Sequence, residues 1–384
     1  MDADREIDAT AAAIAASLLP ERHPTLQRVH GGGNNRIYRL TGTADQPDHA
    51  LKLYAPPGAD PVDAAGRLQR EFAGLSFLAR HLPGRVPQAI AADRARLAAI
   101  YEWIEGDRLP LTEASSRPAA HIGAMSAFVT DLHGLSRHPD ARASITETAR
   151  EACLSATDLL NQVERRLEAL QTLTTEGNLQ HFLATSFAPA LTDARIRLDR
   201  WYDQAALSQA DNLRLDRQIL SPSDFGFHNA LQRADGTLAF IDFEYFGWDD
   251  PVKLLADVVW HPGMRLSPAE RQSFTRHCLD RLAGNDPELL GRYLAQLPLY
   301  GLRWAAIQLN EFFPERGRRR IFAGAAKASE VAWLAAKTRQ LRAAQRYVGT
   351  VRAQIAQLQI VDPATKTADH APALVLLEII DRNQ

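Results

Sequence analysis

Two short runs of strand-forming residues flank Asp235-Gly236 in the stretch LSPSDFGFHNALQRADGTLAFIDFE, residues 220–244. An Asp-Gly pair in that setting is a strong local instruction to reverse the chain, because a tight primed turn takes positive φ at its central positions and glycine accepts it without a Cβ clash. Residues 230–233 then pair with 237–243. The reversal brings the ends of the two runs together, with Asn229 at the mouth of the first, Asp242 at the end of the second and Asp224 on the lead-in loop. An asparagine oxygen and a carboxylate are hard ligands, of the kind magnesium takes when a phosphate supplies the remaining oxygens. Asp224 is left free to act as a base. Polar residues at hairpin ends are also ordinary turn formers, so this reading needs partners elsewhere in the chain.

Upstream, residues 25–104 read as strands around one helix. Runs at 26–29, 37–40, 49–54 (HALKLY) and 99–104 (AIYEWI) are strand-like, and Leu68, Phe72, Leu75, Leu78 and Leu82 recur at helical spacing until Pro83-Gly84 ends the pattern. From about residue 107 long helical patterns take over, interrupted by the hairpin and its lead-in. Leu159, Val163, Leu167 and Leu170 form one stripe, and residues 325–358 are a long helix candidate. Glu105-Gly106-Asp107 is the expected boundary. Residues 1–24 are expected as a helical extension, 25–106 and 107–360 as two lobes, and 361–384 as a linker with a short apolar tail. The expected class is α+β, a small antiparallel sheet with one helix followed by a larger, mainly helical lobe.

The first lobe supplies the partners. Gly31, Gly32, Gly33 and Asn34 sit in a turn between two strands, where successive glycines let backbone N–H groups approach a polyphosphate. Lys52 lies inside the apolar strand LKLY, and Glu71 lies one step from the apolar stripe of the following helix. Read singly, they are a plain loop and two solvated charges. Together, a glycine-rich loop, a strand lysine and a helix glutamate are the parts that hold nucleotide phosphates.

In this order the parts resemble the aminoglycoside phosphotransferase and choline kinase superfamily, small-molecule kinases with a protein-kinase-like fold. The resemblance runs from about residue 25 to about 340. It rests on GGGNNRIYRL, ALKLY, QREFAGLSFL, IYEWIEG, DLHGL, SDFGFHN and IDFEYFGWDDP. It implies that Asp224 orients and deprotonates an acceptor hydroxyl, that Asn229 and Asp242 are magnesium ligands, and that Lys52 and Glu71 form the phosphate-positioning ion pair. It further implies ATP, or GTP, as phosphate donor. The backbone of Glu102, Trp103 and Ile104 would meet the adenine edge, and Val29, Ile37 and Leu51 would sandwich the base. The first lobe would bind nucleotide and the second would carry the catalytic and acceptor-binding residues.

The chain departs from the family pattern at two places. Pro222 stands where the family has a loop-bracing histidine two residues before the catalytic aspartate. Leu254 stands where a bracing aspartate follows the helix start at Asp250-Pro251, with Asp257 one turn further on as its substitute. Pro222 is the argument for the other class open to this sequence, a catalytically silent nucleotide-binding or regulatory protein; the presence of Asp224, Asn229, Asp242, Lys52 and Glu71 argues against it. The seven residues between Asp242 and Asp250 leave little room for a peptide-docking activation segment and argue against a protein kinase.

The expected acceptor is a small molecule bearing a hydroxyl, such as a sugar, aminosugar or amino alcohol, bound between the catalytic loop and helices of residues 140–215 and 290–320. Asp203, Asp211, Glu311 and Glu315 are acids available to a cationic acceptor. Trp201, Trp248, Trp260 and Trp304 are available for stacking, although core packing explains most of them. The arginine run at 316–320 reads as a solvated turn, and His228 as a contact to substrate or a brace of the turn. With 384 residues, 23% charged and a net charge of -2, the chain lacks the basic bias of a nucleic-acid binder. An acidic amino terminus without a long apolar run is unlike a signal peptide, and no later run has bilayer length, so a cytoplasmic protein without a membrane partner is expected. Cys153 and Cys278 are isolated and read as buried thiols. Oligomeric state is left open.

Overall fold

The computed structural model describes residues 2–22, 24–29, 35–42, 45–54, 60–109, 117–313 and 330–358, together with Ala373, Leu377 and Ile380. Helix α1 (Asp2–Leu18) precedes strands β1 (Thr25–Val29), β2 (Arg36–Thr41) and β3 (His49–Leu53), and helix α2 (Pro61–His81) leads to β4 (Ala89–Asp93) and β5 (Ala98–Glu102). The five strands form one antiparallel sheet in the order β1-β2-β3-β5-β4. Its two faces are covered differently. On one face Ala11, Ile14 and Ala15 of α1 bury against Tyr38, Leu40, Leu51 and Ile100, and the Tyr38 hydroxyl donates to Asp8 Oδ1 at 2.6 Å. The other face receives α2, whose buried stripe includes Leu68, Leu75 and Leu78. Asp60 starts that helix by accepting the Val62 amide at 3.0 Å, with Pro61 already holding a helical φ.

The second lobe opens with β6 (Asp107–Arg108) and continues through α3 (Ala119–Leu135), α4 (Ala141–Ser144), α5 (Ala156–Gln171), α6 (Gly177–Phe182) and α7 (Ala188–Ala205). Four short strands follow, β7 (Ile219–Ser221), β8 (Ala230–Gln232), β9 (Leu238–Phe240) and β10 (Gly247–Asp249), and then α8 (Pro251–Trp260), α9 (Pro268–Leu282), α10 (Leu289–Gln308) and α11 (Glu330–Leu358). The stripe read in α5 is buried, and a reciprocal cap between Ser155 and Asp158 fixes where that helix begins. Helix α10 packs against α5, α7, α8 and α11 and so forms the axis of the lobe. Ala373, Leu377 and Ile380, at helical spacing in the apolar tail, are buried in the same core. The result is the expected α+β arrangement, a small antiparallel lobe followed by a larger helical one. Loop residues 30–34, Glu315, the arginine run and the linker at 361–372 lie outside the described residues.

Two details of the β8–β9 hairpin differ from expectation. Its loop is three residues long: the Gly236 amide donates to Arg233 O and the Arg233 amide to Thr237 O, each at 2.9 Å, and Gly236 alone takes positive φ, 83°. That is a type I turn followed by a left-handed glycine rather than a two-residue primed turn. The Asp235 side chain explains it by accepting from the Thr237 amide and hydroxyl, which holds Asp235 itself at negative φ. In addition β6 pairs with β8, making the hairpin a three-stranded sheet in the order β6-β8-β9.

Candidate active site

Strand alternation decides which side chains of the first lobe face the cleft. In the register Val29↔Ile37, Ile37↔Lys52 and Lys52↔Ala99, these four residues share one face, while Tyr38, Leu51 and Ile100 share the other. Leu51 therefore packs beneath α1, fully buried, and cannot line a base pocket as expected. Val29 and Ile37 stay on the face of Lys52, and Ala50, two residues before Lys52, joins them.

Lys52 is 5% exposed and Glu71, from α2, is 3% exposed, so neither is a solvated charge. Lys52 Nζ lies 2.7 Å from Glu71 Oε2, 2.6 Å from Asp242 Oδ1 and 3.5 Å from Glu244 Oε2. Both oxygens of Glu71 are engaged, Oε2 also by the Tyr54 hydroxyl at 2.5 Å and Oε1 by the Phe243 amide at 3.2 Å. Glu244 accepts from Arg67 Nη1 at 3.0 Å and from Asn35 Nδ2 at 2.5 Å. Three carboxylates thus surround one ammonium and one guanidinium. Burial opposes the charge on Lys52, but Asp242, Glu71 and Glu244 outweigh it and hold its pKa well above the usual lysine range. Burial likewise pushes Glu71 and Asp242 up against the pull of Lys52, whereas Glu244, though buried, is held down at about 2 by Lys52 and Arg67. Asp63, which also pairs with Arg67 at 3.2 Å, is matched by Arg150, so the surplus is one negative charge, beside an Asp242 side chain that is still 40% exposed.

The loop of residues 222–229 meets this cluster through the hairpin. Asn229 Nδ2 donates to Asp224 O at 2.9 Å, and Asn229 O accepts the Ile241 amide at 2.9 Å, so Asp224, Asn229 and Asp242 converge as the hairpin requires. Asp242 adopts φ 65°, a left-handed conformation uncommon outside glycine, which ends β9 and aims the carboxylate at Lys52. With one amide hydrogen held by Asp224 O, the Asn229 side-chain oxygen has no hydrogen-bond partner among the described residues. An amide oxygen and a carboxylate next to surplus negative charge suit a hard divalent cation.

Asp224 carries an unforeseen pair of imidazoles. Its Oδ1 lies 3.0 Å from His228 Nε2 and 3.6 Å from His261 Nε2, and the two rings stack 4.1 Å apart at 4°. His261 Nδ1 accepts the Gly263 amide at 3.0 Å, which leaves the ring proton on Nε2, facing the carboxylate. Burial and the neighbouring His228 lower His261 to about 4, so it is a neutral donor at physiological pH. Burial pushes the Asp224 carboxyl up, but the hydrogen bond from His228, the electrostatic influence of the two imidazoles and the Lys253 ammonium outweigh it, holding Asp224 at about 2. An ionised carboxylate with one oxygen held and the other free of hydrogen bonds among the described residues can receive a proton from an approaching hydroxyl.

The other expected positions fall out as follows. The Glu102 amide donates to Gln88 O at 2.9 Å and the Trp103 amide to Asp48 O at 3.3 Å, so both are spent inside the lobe; the Ile104 amide has no backbone partner among the described residues. Gly31, Gly32, Gly33 and Asn34 lie outside the described residues, but their neighbour Asn35 reaches Glu244 and Arg67. Trp201, Trp248 and Trp260 are core residues, 7%, 2% and 0% exposed. Trp304 is half-buried, edge-on to His261 with centroids 4.5 Å apart. Asp203 and Asp211 are exposed and Glu311 is buried. Asp257 does not touch the catalytic loop; it reaches that loop through Lys253. Glu244, Arg67 and His261 carried no signal of their own, although Glu244 lies on the same strand-end motif as Asp242.

Among proteins of curated function none matches the sequence at a significant level. Solved structures do match the fold. The chain is 15% identical to aminoglycoside phosphotransferase APH(2'')-IIa in its streptomycin–ATP complex (TM-score 0.52, covering 86% of this chain and 98% of that one). It is 18% identical to the macrolide 2'-phosphotransferase MphH of Brachybacterium faecium (TM-score 0.51, 83% and 99%). It is 15% identical to a choline/ethanolamine kinase family protein of Mesorhizobium loti (TM-score 0.52, 98% and 99%). No described helix is long and apolar enough to cross a membrane. The sequence profile of the phosphotransferase enzyme family matches residues 25–289, the span that holds every side chain of the site just described, and the chain belongs to that family.

Proposed function

We propose that this chain is an ATP- and magnesium-dependent phosphotransferase that moves the γ-phosphate to a hydroxyl of a small molecule such as a sugar, aminosugar or amino alcohol. The observation that carries this reading is the meeting at Lys52 of a helix carboxylate, Glu71, and the hairpin carboxylate, Asp242, on the side of the cleft where Asn229 and Asp224 converge. Family membership and the ATP held by the aminoglycoside phosphotransferase of the same fold support it.

Each side chain then has a task. Glu71 fixes Lys52 so that its ammonium meets the donor phosphates, and Ile37 and Val29 lie on the face that would hold the base. Asn229 and Asp242 would hold magnesium, whose contribution is to neutralise the charge of the phosphates. The Glu102–Ile104 segment would give the base edge its hydrogen bonds, with the Ile104 amide as the donor. Asp224 takes the acceptor's hydroxyl proton on its unengaged oxygen as the new O–P bond forms and the bond to ADP breaks. Positioning and charge supply most of such a catalytic effect, because phosphoryl transfer asks little covalent chemistry of the protein. The site should therefore be tested by ADP formation from magnesium-ATP across a library of small hydroxyl compounds. Turnover that Asp224→Ala abolishes is expected; tight ATP binding without turnover on any compound would favour the silent nucleotide-binding alternative.

A further inference from the structure

Pro222 and Leu254 remove the two side chains that the family pattern would use to brace the catalytic loop, yet that loop is held. Ser223 sits at its tightest point, with φ 66° and the Asp224 amide bonded back to Pro222 O at 2.9 Å across it. A positive φ at the centre of such a three-residue turn is a strained conformation, which persists only where the surroundings enforce it. The Ser223 hydroxyl is the point of enforcement. It donates to Arg150 O at 3.1 Å and accepts from Lys253 Nζ at 3.0 Å.

Lys253 is well placed for the task. It is the third residue of α8, 0% exposed, on a helix whose ten residues are all buried. Asp250 caps that helix and is itself gripped by Arg292 at 2.9 and 3.0 Å. Strand β10, which feeds α8, pairs with β7, which feeds the catalytic loop, so helix and loop leave one two-stranded ribbon side by side. Besides Ser223, the ammonium lies in ion-pair contact with Asp249 Oδ2 at 3.1 Å and Asp257 Oδ2 at 3.0 Å, oxygens that accept no hydrogen bond among the described residues. One hydrogen bond to a hydroxyl and two ion-pair contacts thus hold the ammonium. Asp257 in turn accepts from Arg303 Nη1 at 2.9 Å and from Trp304 Nε1 at 2.8 Å, and the Trp304 ring abuts His261, which faces Asp224.

We infer that Lys253 is a positioning residue of the reaction: through Ser223 it fixes the loop on one side of Asp224, and through Asp257 and Trp304 it fixes His261 on the other. It takes the place of the absent histidine–aspartate brace with the charges redistributed, the cation now on the helix and a neutral hydroxyl on the loop. The inference rests on the phosphotransferase reading.

The test uses the full chain and steady-state ADP release from magnesium-ATP, with the best acceptor of the library or water. Ser223→Ala keeps the buried ion pairs and removes only the loop's handle. A kcat about 10- to 100-fold lower is expected, as for a small misplacement of a catalytic group, with KM for ATP and the thermal midpoint close to wild type. Lys253→Met should lower kcat at least as far and lower the midpoint as well. A merely structural network would instead move the midpoint and leave the kcat of folded Ser223→Ala intact, and that result overturns the proposal even if Lys253→Met fails to fold. Wild-type protein that forms no ADP under any condition would overturn the kinase reading and this inference with it, an outcome distinct from wild-type turnover in Ser223→Ala.

Discussion

Two buried lysines organise this molecule, and they do so in opposite ways. Lys52 lies among Glu71, Asp242 and Glu244 with only Arg67 to help it, and Asp242 is still open to the cleft. Lys253 lies between Asp249 and Asp257, Arg303 supplies a second cation and also pairs outward with Glu151, itself matched by Arg166, and the four inner side chains are almost fully removed from solvent. The first cluster keeps a surplus of negative charge where it can be reached, and the second is balanced and sealed. An unbalanced cluster at a cleft is a seat for an external cation, whereas a balanced one fixes shape. The lesson is that the count of charges around a buried lysine, and the exposure of one partner, separate a binding role from a scaffolding one better than the lysine's own burial does.

The contrast can be broken by removing one carboxylate from each cluster. Asp242→Asn should lower magnesium-dependent turnover by about 100- to 1000-fold while leaving the thermal midpoint unchanged or raised, because it takes away surplus charge; a variant with wild-type kinetics would remove Asp242 from the proposed metal site. Asp257→Asn should do the reverse at the level of folding. It leaves a buried cation uncompensated, and a loss of roughly 3 kcal/mol in denaturant unfolding is expected; a midpoint within error of wild type would show that Lys253 and Arg303 are not balanced by it. The smallest effect is one of pH. Glu244 has a folded-state pKa of about 2, below its unfolded value near 4. Its contribution to stability is therefore fully present above about pH 4 and is lost as the pH falls toward about 2. Glu244→Gln should lower the thermal midpoint at neutral pH and flatten its decline over that interval, and an unchanged acid profile would contradict the assignment.

How far the sequence could be read follows from how local each signal is. The apolar stripe of α2, the strand runs and the Asp-Gly reversal are short-range patterns, and the structure places elements at each of them. The convergence of Asp224, Asn229 and Asp242 was legible because a hairpin converts sequence spacing into proximity. Leu51 failed as a base-pocket residue because neighbouring strand residues point to opposite faces, so Lys52 in the cleft obliges Leu51 to face α1. The turn class escaped because a side chain, that of Asp235, decided it. Strands β4, β6, β7 and β10 escaped because AIAAD is weakly patterned and the other three are two or three residues long, formed by partners distant in sequence. His261 could not be found at all. It follows the helix that carries Lys253, and only tertiary packing turns its ring toward Asp224.

One small element reaches further than its size suggests. The chain leaving the first lobe becomes β6 and is stitched to the hairpin at Asp107↔Gln232 and Arg108↔Leu231. Just before it, a Cβ on Gly106 would stand 2.7 Å from Gln232 O, so the backbones are pressed together there. Rotation of the halves as a nucleotide enters is then concentrated in residues 103–105 as its hinge, while the Lys52–Asp242 ion pair also ties the two halves together. Paired spin labels on α2 and α9 should report a narrow distance distribution with and without ATP, and a broad one would place the pivot elsewhere.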